Sequence, residues 1–394
     1  NFNEENITVG LLSAICKTRT CSLEEVLRVM LTEGTAEDNK FLSEMEKYDL
    51  QSSFWKLCEQ QFGYTDTAPT LEKLVVTMFV TATARQLGSA VPQDWKSYVS
   101  YKSGNIIAFL DSLMNSVLYS ERFDELSHQV SDSLNTSKIF AEMQPEELTE
   151  VNTFLIADRV LVKWMVERLT AEDTGARLDG IGIPELCEKR MKMHFGSRTK
   201  KTYQLLLSAY HLLTAANYSC PDGFRQIVKQ YRERDYQIDR EYRKFYLRFD
   251  KVNFDEVERE GLRTLVENIY TNEYLAKVMP KWNEGLQEPA AFHELPLQRE
   301  FYERYVRNAK ERTVVIISDA MRYEVGEELF QRMLDDPKCS AKLEAQLSVL
   351  PSYTRLGMAA LLPHQTLTMT DDYRVLADGV LCNDLAGREK VLRQ

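Results

Sequence analysis

The sequence predicts a mostly α-helical N-terminal and middle region, followed by an α/β domain with a parallel sheet of which the chain carries only the first part. Three observations lead there. Up to about Arg312 nearly every periodic segment has apolar residues three and four apart, and strand-like alternation is scarce. From Val314 onward apolar runs and helical patterns alternate as strand, helix, strand, helix, strand, which implies right-handed crossovers in a parallel sheet. At 394 residues the chain also exceeds what one core usually fills, so three domains are expected: helical 1–175, helical 176–308 and α/β 309–394.

In chain order, Ser22 followed by Leu23, Glu24 and Glu25 opens a helix with a capping hydroxyl and acids in its first turn. The segments from Leu71 to Leu87 and from Thr153 to Leu169 are core helices, the second carrying Leu161, Trp164, Met165 and Leu169 on one face. Glycine and proline between Thr174 and Pro184 mark a break. A long helix from about Gly223 to Phe249 follows. Phe224, Tyr231, Ile238 and Phe245 recur along it every seven residues, beside a second row in which Asp235 interrupts Val228, Tyr242 and Phe249. After Pro289 the segment from Phe292 to Leu297 is a connector, and Gln298 to Arg307 a short helix. Val314 to Ile317 is then a buried strand, Tyr323 to Leu334 a helix, Leu343 to Leu350 a strand, Arg355 to Leu362 a helix, and Thr366 to Thr370 a third strand.

Forty-nine basic and sixty acidic side chains leave a net charge of −11, which disfavours broad binding to nucleic-acid phosphates and is expected of a cytoplasmic protein. The long helix mixes Arg240, Arg243 and Arg248 with Asp239 and Glu241, as a solvated face laced with ion pairs does. The run Lys189, Arg190, Lys192, Arg198, Lys200, Lys201 has fewer acids and is the better candidate for an anionic partner, with a plain surface as the simpler reading. Seven cysteines without close pairs suggest neither a disulfide framework nor a structural zinc site. The charge-free stretch from Leu74 to Ala84 falls well short of the ~20 residues of a membrane span. A chain opening on Asn1 suggests a piece of a longer polypeptide.

In an open α/β sheet, functional groups gather beyond the carboxyl ends of the strands. Asp319 and Thr354 both fall at such ends, so a carboxylate ligating a divalent metal could sit beside a hydroxyl whose pKa that metal lowers. On spacing alone each is equally an ordinary helix N-cap. Arg322 and Arg355 lie beside them and could clamp an anionic substrate or simply form ion pairs. Asp371, Asp372, Asp378 and Asp384 are expected in turns and caps. A P-loop, a GxGxxG fingerprint and an HExxH motif are absent; His293-Glu294 fails the last because Leu297 stands where a second histidine belongs.

The segments SDAMRYE and LPSYTRLGMAALLP, preceded by LPLQREFYERYV, resemble the PglZ family, the phosphatase-like component of BREX type 1 phage-defence systems. The resemblance covers about residues 290 to 370 and implies an alkaline-phosphatase-like fold. Asp319 would be a metal ligand, and Thr354, 35 residues later, the nucleophile and a second ligand. It further implies a phosphatase or phosphodiesterase acting on a nucleotide or nucleic acid, with zinc as the divalent metal. Other BREX proteins, including the methyltransferase, would be the partners, in the cytoplasm and away from membrane. After residue 312 the chain has a single histidine, His364, too few nitrogen donors for a two-zinc centre. The metal site is therefore expected to be unoccupied or partial and this piece inactive alone, the remaining ligands lying beyond Gln394. The alternative is a non-catalytic scaffold that binds other defence proteins.

Overall fold

The computed structural model describes residues 3–252, 256–288, 293 and 295–394. Of the expected connector, Phe292 and Glu294 lie outside the described residues. The chain divides into two compact units, Asn1–Tyr210 with Arg248–Leu262, and His211–Leu247 with Arg263–Gln394.

The first unit is helical. Its central helix, Leu71–Leu87, is buried on almost every side, as a helix with apolar residues all round must be. Phe79 packs its ring 5.2 Å from Phe123 and 5.8 Å from Phe154. Thr83, inside this core, is paired: it donates to the Phe79 carbonyl at 2.7 Å and lies 2.6 Å from the Thr153 hydroxyl. The predicted cap at Ser22 is present, its Oγ accepting the Glu25 amide at 3.2 Å, and Thr70 caps the central helix in the same way. The break after Thr174 is a two-residue hairpin pairing Arg177–Leu178 with Ile181–Gly182. Asp179 and Gly180 turn it with φ of 49° and 75°, the conformation for which an Asp-Gly pair is selected.

One polar cluster lies wholly inside this unit. Arg190, on the helix Ile183–Met191, donates through Nε and Nη2 to the two oxygens of Asp158 at 3.0 and 2.8 Å, and through Nη1 to the Val151 carbonyl at 2.8 Å. Tyr203 donates its hydroxyl to the same carboxylate. Burial alone would push the guanidinium toward neutrality, but hydrogen bonding and charge from Asp158 more than offset it and hold its pKa above the ordinary value. The seven cysteines are free thiols, five of them buried, and burial pushes Cys16 up to about 11.

In the second unit the expected long helix exists with one interruption. Phe224–Gln230 and Tyr236–Phe249 are α-helical, but Tyr231–Asp235 is a π-turn. Asp235, the residue that breaks the heptad row, is buried there and accepts hydrogen bonds from the Tyr218 hydroxyl at 2.7 Å and from Gln230 Nε2 at 2.9 Å. The local widening turns this acid toward partners that a regular α-helix would not offer it. A second π-turn, Ile269–Leu275, carries Tyr270, which stacks on Tyr242 at 3.7 Å and donates to Asp239 at 2.8 Å.

The α/β prediction is corrected in part. The helix Tyr323–Leu334 lies where the periodicity puts it, and Thr354–Ala360 is helical. Val314–Ile317, however, is an unpaired segment with Val314 and Ile316 74% and 88% exposed, and Leu343–Leu350 pairs only where Leu347 bridges Leu297. The third expected strand, Leu367–Met369, joins Val375–Ala377 and Val380–Leu381 in an antiparallel sheet. Among the described residues there is thus no parallel sheet. A central parallel strand needs a neighbour on each edge and cover on each face, and residues 313–317 have neither. The small antiparallel sheet instead packs Val375, Ala377 and Cys382 against Leu356, Ala359, Leu362 and Val391.

Asp378 and Gly379 turn this sheet at φ of 47° and 79°, and the Asp378 carboxylate accepts from the Thr366 and Gln365 amides at 2.7 and 3.0 Å and from the Thr366 hydroxyl at 2.9 Å. Asp384 caps the Leu385–Leu392 helix, and Asp371 and Asp372 lie in the turn after Leu367–Met369, so all four late aspartates sit in the turns and caps expected of them. The bonds to Asp378 stabilise its charged form, the Thr366 amide foremost, and hold its pKa below the usual carboxylate value. A depressed folded pKa means that the stabilisation is complete above the unfolded value and is lost as pH falls through the folded one. D378N keeps a residue suited to the turn but removes the titrating group. Its melting temperature should fall less steeply than that of wild type between about pH 5 and pH 2. Identical slopes would refute the assignment.

Candidate active site

The chain approaches the site through residues 313–318 and turns at Asp319 and Ala320, the latter at φ 55°. Asp319 is exposed, and its Oδ1 accepts the Ala320 amide at 2.9 Å. It does not cap the next helix; that position belongs to Arg322, which provides no side-chain cap. Thr354 is the exposed first residue of its helix, after Tyr353 at the cap, and its hydroxyl makes no hydrogen bond among the described residues. Neither residue therefore serves as the N-cap that spacing alone would equally allow. One carboxylate oxygen and one hydroxyl are left open to solvent.

The two arginines have internal partners. Arg322 Nη2 is 2.8 Å from Glu324 Oε1, and the Arg355 guanidinium lies 6.0 Å from the centre of the Tyr353 ring, within cation–π range. Among the described residues no hydrogen bond or ion pair joins Asp319, Arg322, Thr354 and Arg355 to one another. His364 holds its Nδ1 2.7 Å from the Leu362 carbonyl. No three His, Cys, Asp or Glu side chains among the described residues converge as a metal-ligand set, so these residues do not by themselves fit a two-metal centre.

Sequence reasoning missed how this region is braced. Gln298 accepts the Val349 amide at 3.1 Å and donates to the Gly357 carbonyl at 3.2 Å, tying the segment before Thr354 to the helix after it. Glu324 is wholly buried beneath Arg322. Nothing in the local pattern distinguishes either residue from a surface glutamine or glutamate. The basic run beginning at Lys189 also reads differently: Arg190 is interior, Lys189 pairs with Glu150, and Arg198 pairs with Asp124 at 2.8 Å.

Comparison with known proteins bears on what these residues are for. Residues 298–394 match the family model of the BREX system PglZ alkaline phosphatase-like domain. Over 99% of its length the chain is 29% identical to an alkaline phosphatase-like protein PglZ of Bacillus cereus (strain H3081.97), covering 46% of that protein. It is 27% identical, again over 99%, to an alkaline phosphatase-like protein BrxZ of Escherichia coli O9:H4 (strain HS), covering 48% of it. The chain thus spans about half the length of these curated relatives. No solved structure matches it. Residues 298–394 are thus similar to the BREX-system PglZ alkaline phosphatase-like domain, and the chain as a whole is similar to PglZ and BrxZ.

Proposed function

We propose that the protein carrying this chain is a metal-dependent phosphoric ester hydrolase of a BREX phage-defence system, acting in the cytoplasm on a nucleotide or nucleic acid. Other BREX proteins, including the methyltransferase, would be its partners. The observation that carries the reading is that the PglZ domain match, residues 298–394, brackets both Asp319 and Thr354. In this reading Thr354 Oγ1 attacks phosphorus and the ester oxygen leaves. Asp319 would be one ligand of a divalent metal such as zinc, whose charge would stabilise the leaving and attacking oxygens, and further ligands and sheet strands would have to come from outside the described residues. Arg322 and Arg355 would contact the phosphoryl oxygens, which requires Arg322 to share its charge with Glu324. The open hydroxyl of Thr354 and open carboxylate of Asp319 support these roles, because a nucleophile or ligand already committed to a cap would first have to be released.

The test is turnover of bis(p-nitrophenyl) phosphate by the full-length protein, with and without zinc or manganese. Hydrolysis that is abolished by chelation and restored by metal is expected. Absence of turnover with either ion, while the protein still binds the BREX methyltransferase, would replace the hydrolase with the scaffold reading.

A further inference from the structure

Glu324 lies two residues past Arg322 and five past Asp319, and it is fully buried. Neither of its carboxylate oxygens has a hydrogen-bond partner. Among the described residues its charge is balanced by two cations, Arg322 Nη2 at 2.8 Å and Arg243 Nε at 3.6 Å, the latter atom itself buried and without a hydrogen bond. Arg243 belongs to the helix Tyr236–Phe249, and its Nη2 also donates to Glu328 Oε2 at 2.8 Å, one turn along from Glu324. The N-terminus of the Tyr323–Leu334 helix is further held by Tyr323, whose ring sits 6.0 Å from Tyr231 and 5.9 Å from Tyr236. Tyr231 is the first residue of the π-turn, so the widened segment is also the one that receives this helix.

A buried carboxylate without neutral donors must keep its cations or regain water. If Arg243 is removed, Glu324 is left with Arg322 alone, a side chain more than half exposed. The less costly relaxation is then for the first turn of the helix to lift and let water reach Glu324. That movement carries Arg322 and the Asp319 turn with it.

We infer that Arg243 is a positioning residue for the Asp319–Arg322 turn, acting through the buried carboxylate of Glu324. The inference rests on the hydrolase reading for its catalytic consequence, but not for its structural one. Two measurements on the full-length protein separate them: amide hydrogen exchange across residues 319–326, and kcat and KM for bis(p-nitrophenyl) phosphate with added metal. In R243M, exchange at 319–326 should rise about tenfold while the strands Leu367–Met369 and Val375–Ala377 stay protected. The kcat should fall by a similar factor, about tenfold. R243K, which retains a cation within reach of Glu324, should recover part of both. E328Q, which removes only the outer partner, should leave both within about twofold of wild type.

Exchange in R243M equal to wild type, or raised equally throughout the unit, would overturn the inference. So would an E328Q variant as impaired as R243M. If wild type shows no turnover, the hydrolase reading falls by itself, and the exchange pattern still decides whether Arg243 holds this turn.

Discussion

Replacing Arg190 with methionine is expected to lower the unfolding free energy of the N-terminal unit by about 3–5 kcal/mol, the cost of leaving one half of a buried ion pair behind. Asp158 is 1% exposed and receives two hydrogen bonds from the arginine; without them, among the described residues, it keeps the Tyr203 hydroxyl alone. The Val151 carbonyl loses a donor as well. Methionine fills much of the volume, so the loss comes from the stranded charge more than from a cavity. The double variant R190M/D158L removes both charges and should regain most of the stability, because an apolar pair of similar size in a dry site is often as stable as the ion pair it replaces. Urea unfolding followed by circular dichroism measures both variants. A single-variant loss below about 1 kcal/mol would place this cluster among weak surface pairs.

Arg190 also marks the limit of what sequence periodicity conveys. The sequence groups it with five other basic residues in one run, because a guanidinium at a helical position looks the same whether it faces solvent or a carboxylate 32 residues away. The helices themselves were legible. Leu71–Leu87 and Tyr323–Leu334 begin and end where their apolar spacing places them, since that signal acts within a few residues. The heptad pattern shows Asp235 as an interruption, though not as the last residue of a π-turn. What it needs, Tyr218 and Gln230, lies off its own heptad row.

Strand pairing was the least legible feature. A run such as Val314–Ile317 has the composition of a buried strand, but composition does not supply a neighbour, and among the described residues it has none. The same distinction applies to the site. The positions of Asp319 and Thr354 at two chain turns could be read directly, whereas Gln298, Glu324 and Arg243, which brace those turns, act through contacts between residues 51 to 85 apart that no local pattern encodes. Of these, Glu324 is the least expected, an acid fully buried within the first turn of an otherwise amphipathic helix.

The largest effect is expected at Thr354. If Thr354 is the nucleophile, as proposed, T354A in the full-length protein should reduce phosphodiester hydrolysis by at least about 1,000-fold in kcat, the scale on which removal of a covalent nucleophile acts. T354S keeps an oxygen at the same atom and should retain activity within about tenfold of wild type. The folded state offers an unusually clean separation here. The threonine is exposed and its hydroxyl has no hydrogen bond among the described residues, so either substitution should change stability by no more than about 0.5 kcal/mol. A loss of activity without a loss of stability therefore reports on chemistry, not folding. If T354A turns over substrate at the wild-type rate, the nucleophile lies elsewhere. If T354A and T354S are equally inactive, the methyl group or the local backbone matters and the hydroxyl does not. D319N provides the complementary test: the amide preserves shape but is a poor ligand for a hard or borderline cation. It should raise the metal concentration needed for half-maximal activity by about tenfold or more, and the defect should shrink as metal is added. A D319N defect that saturating metal leaves unchanged would remove Asp319 from the ligand set while leaving the role of Thr354 to be decided by its own variants.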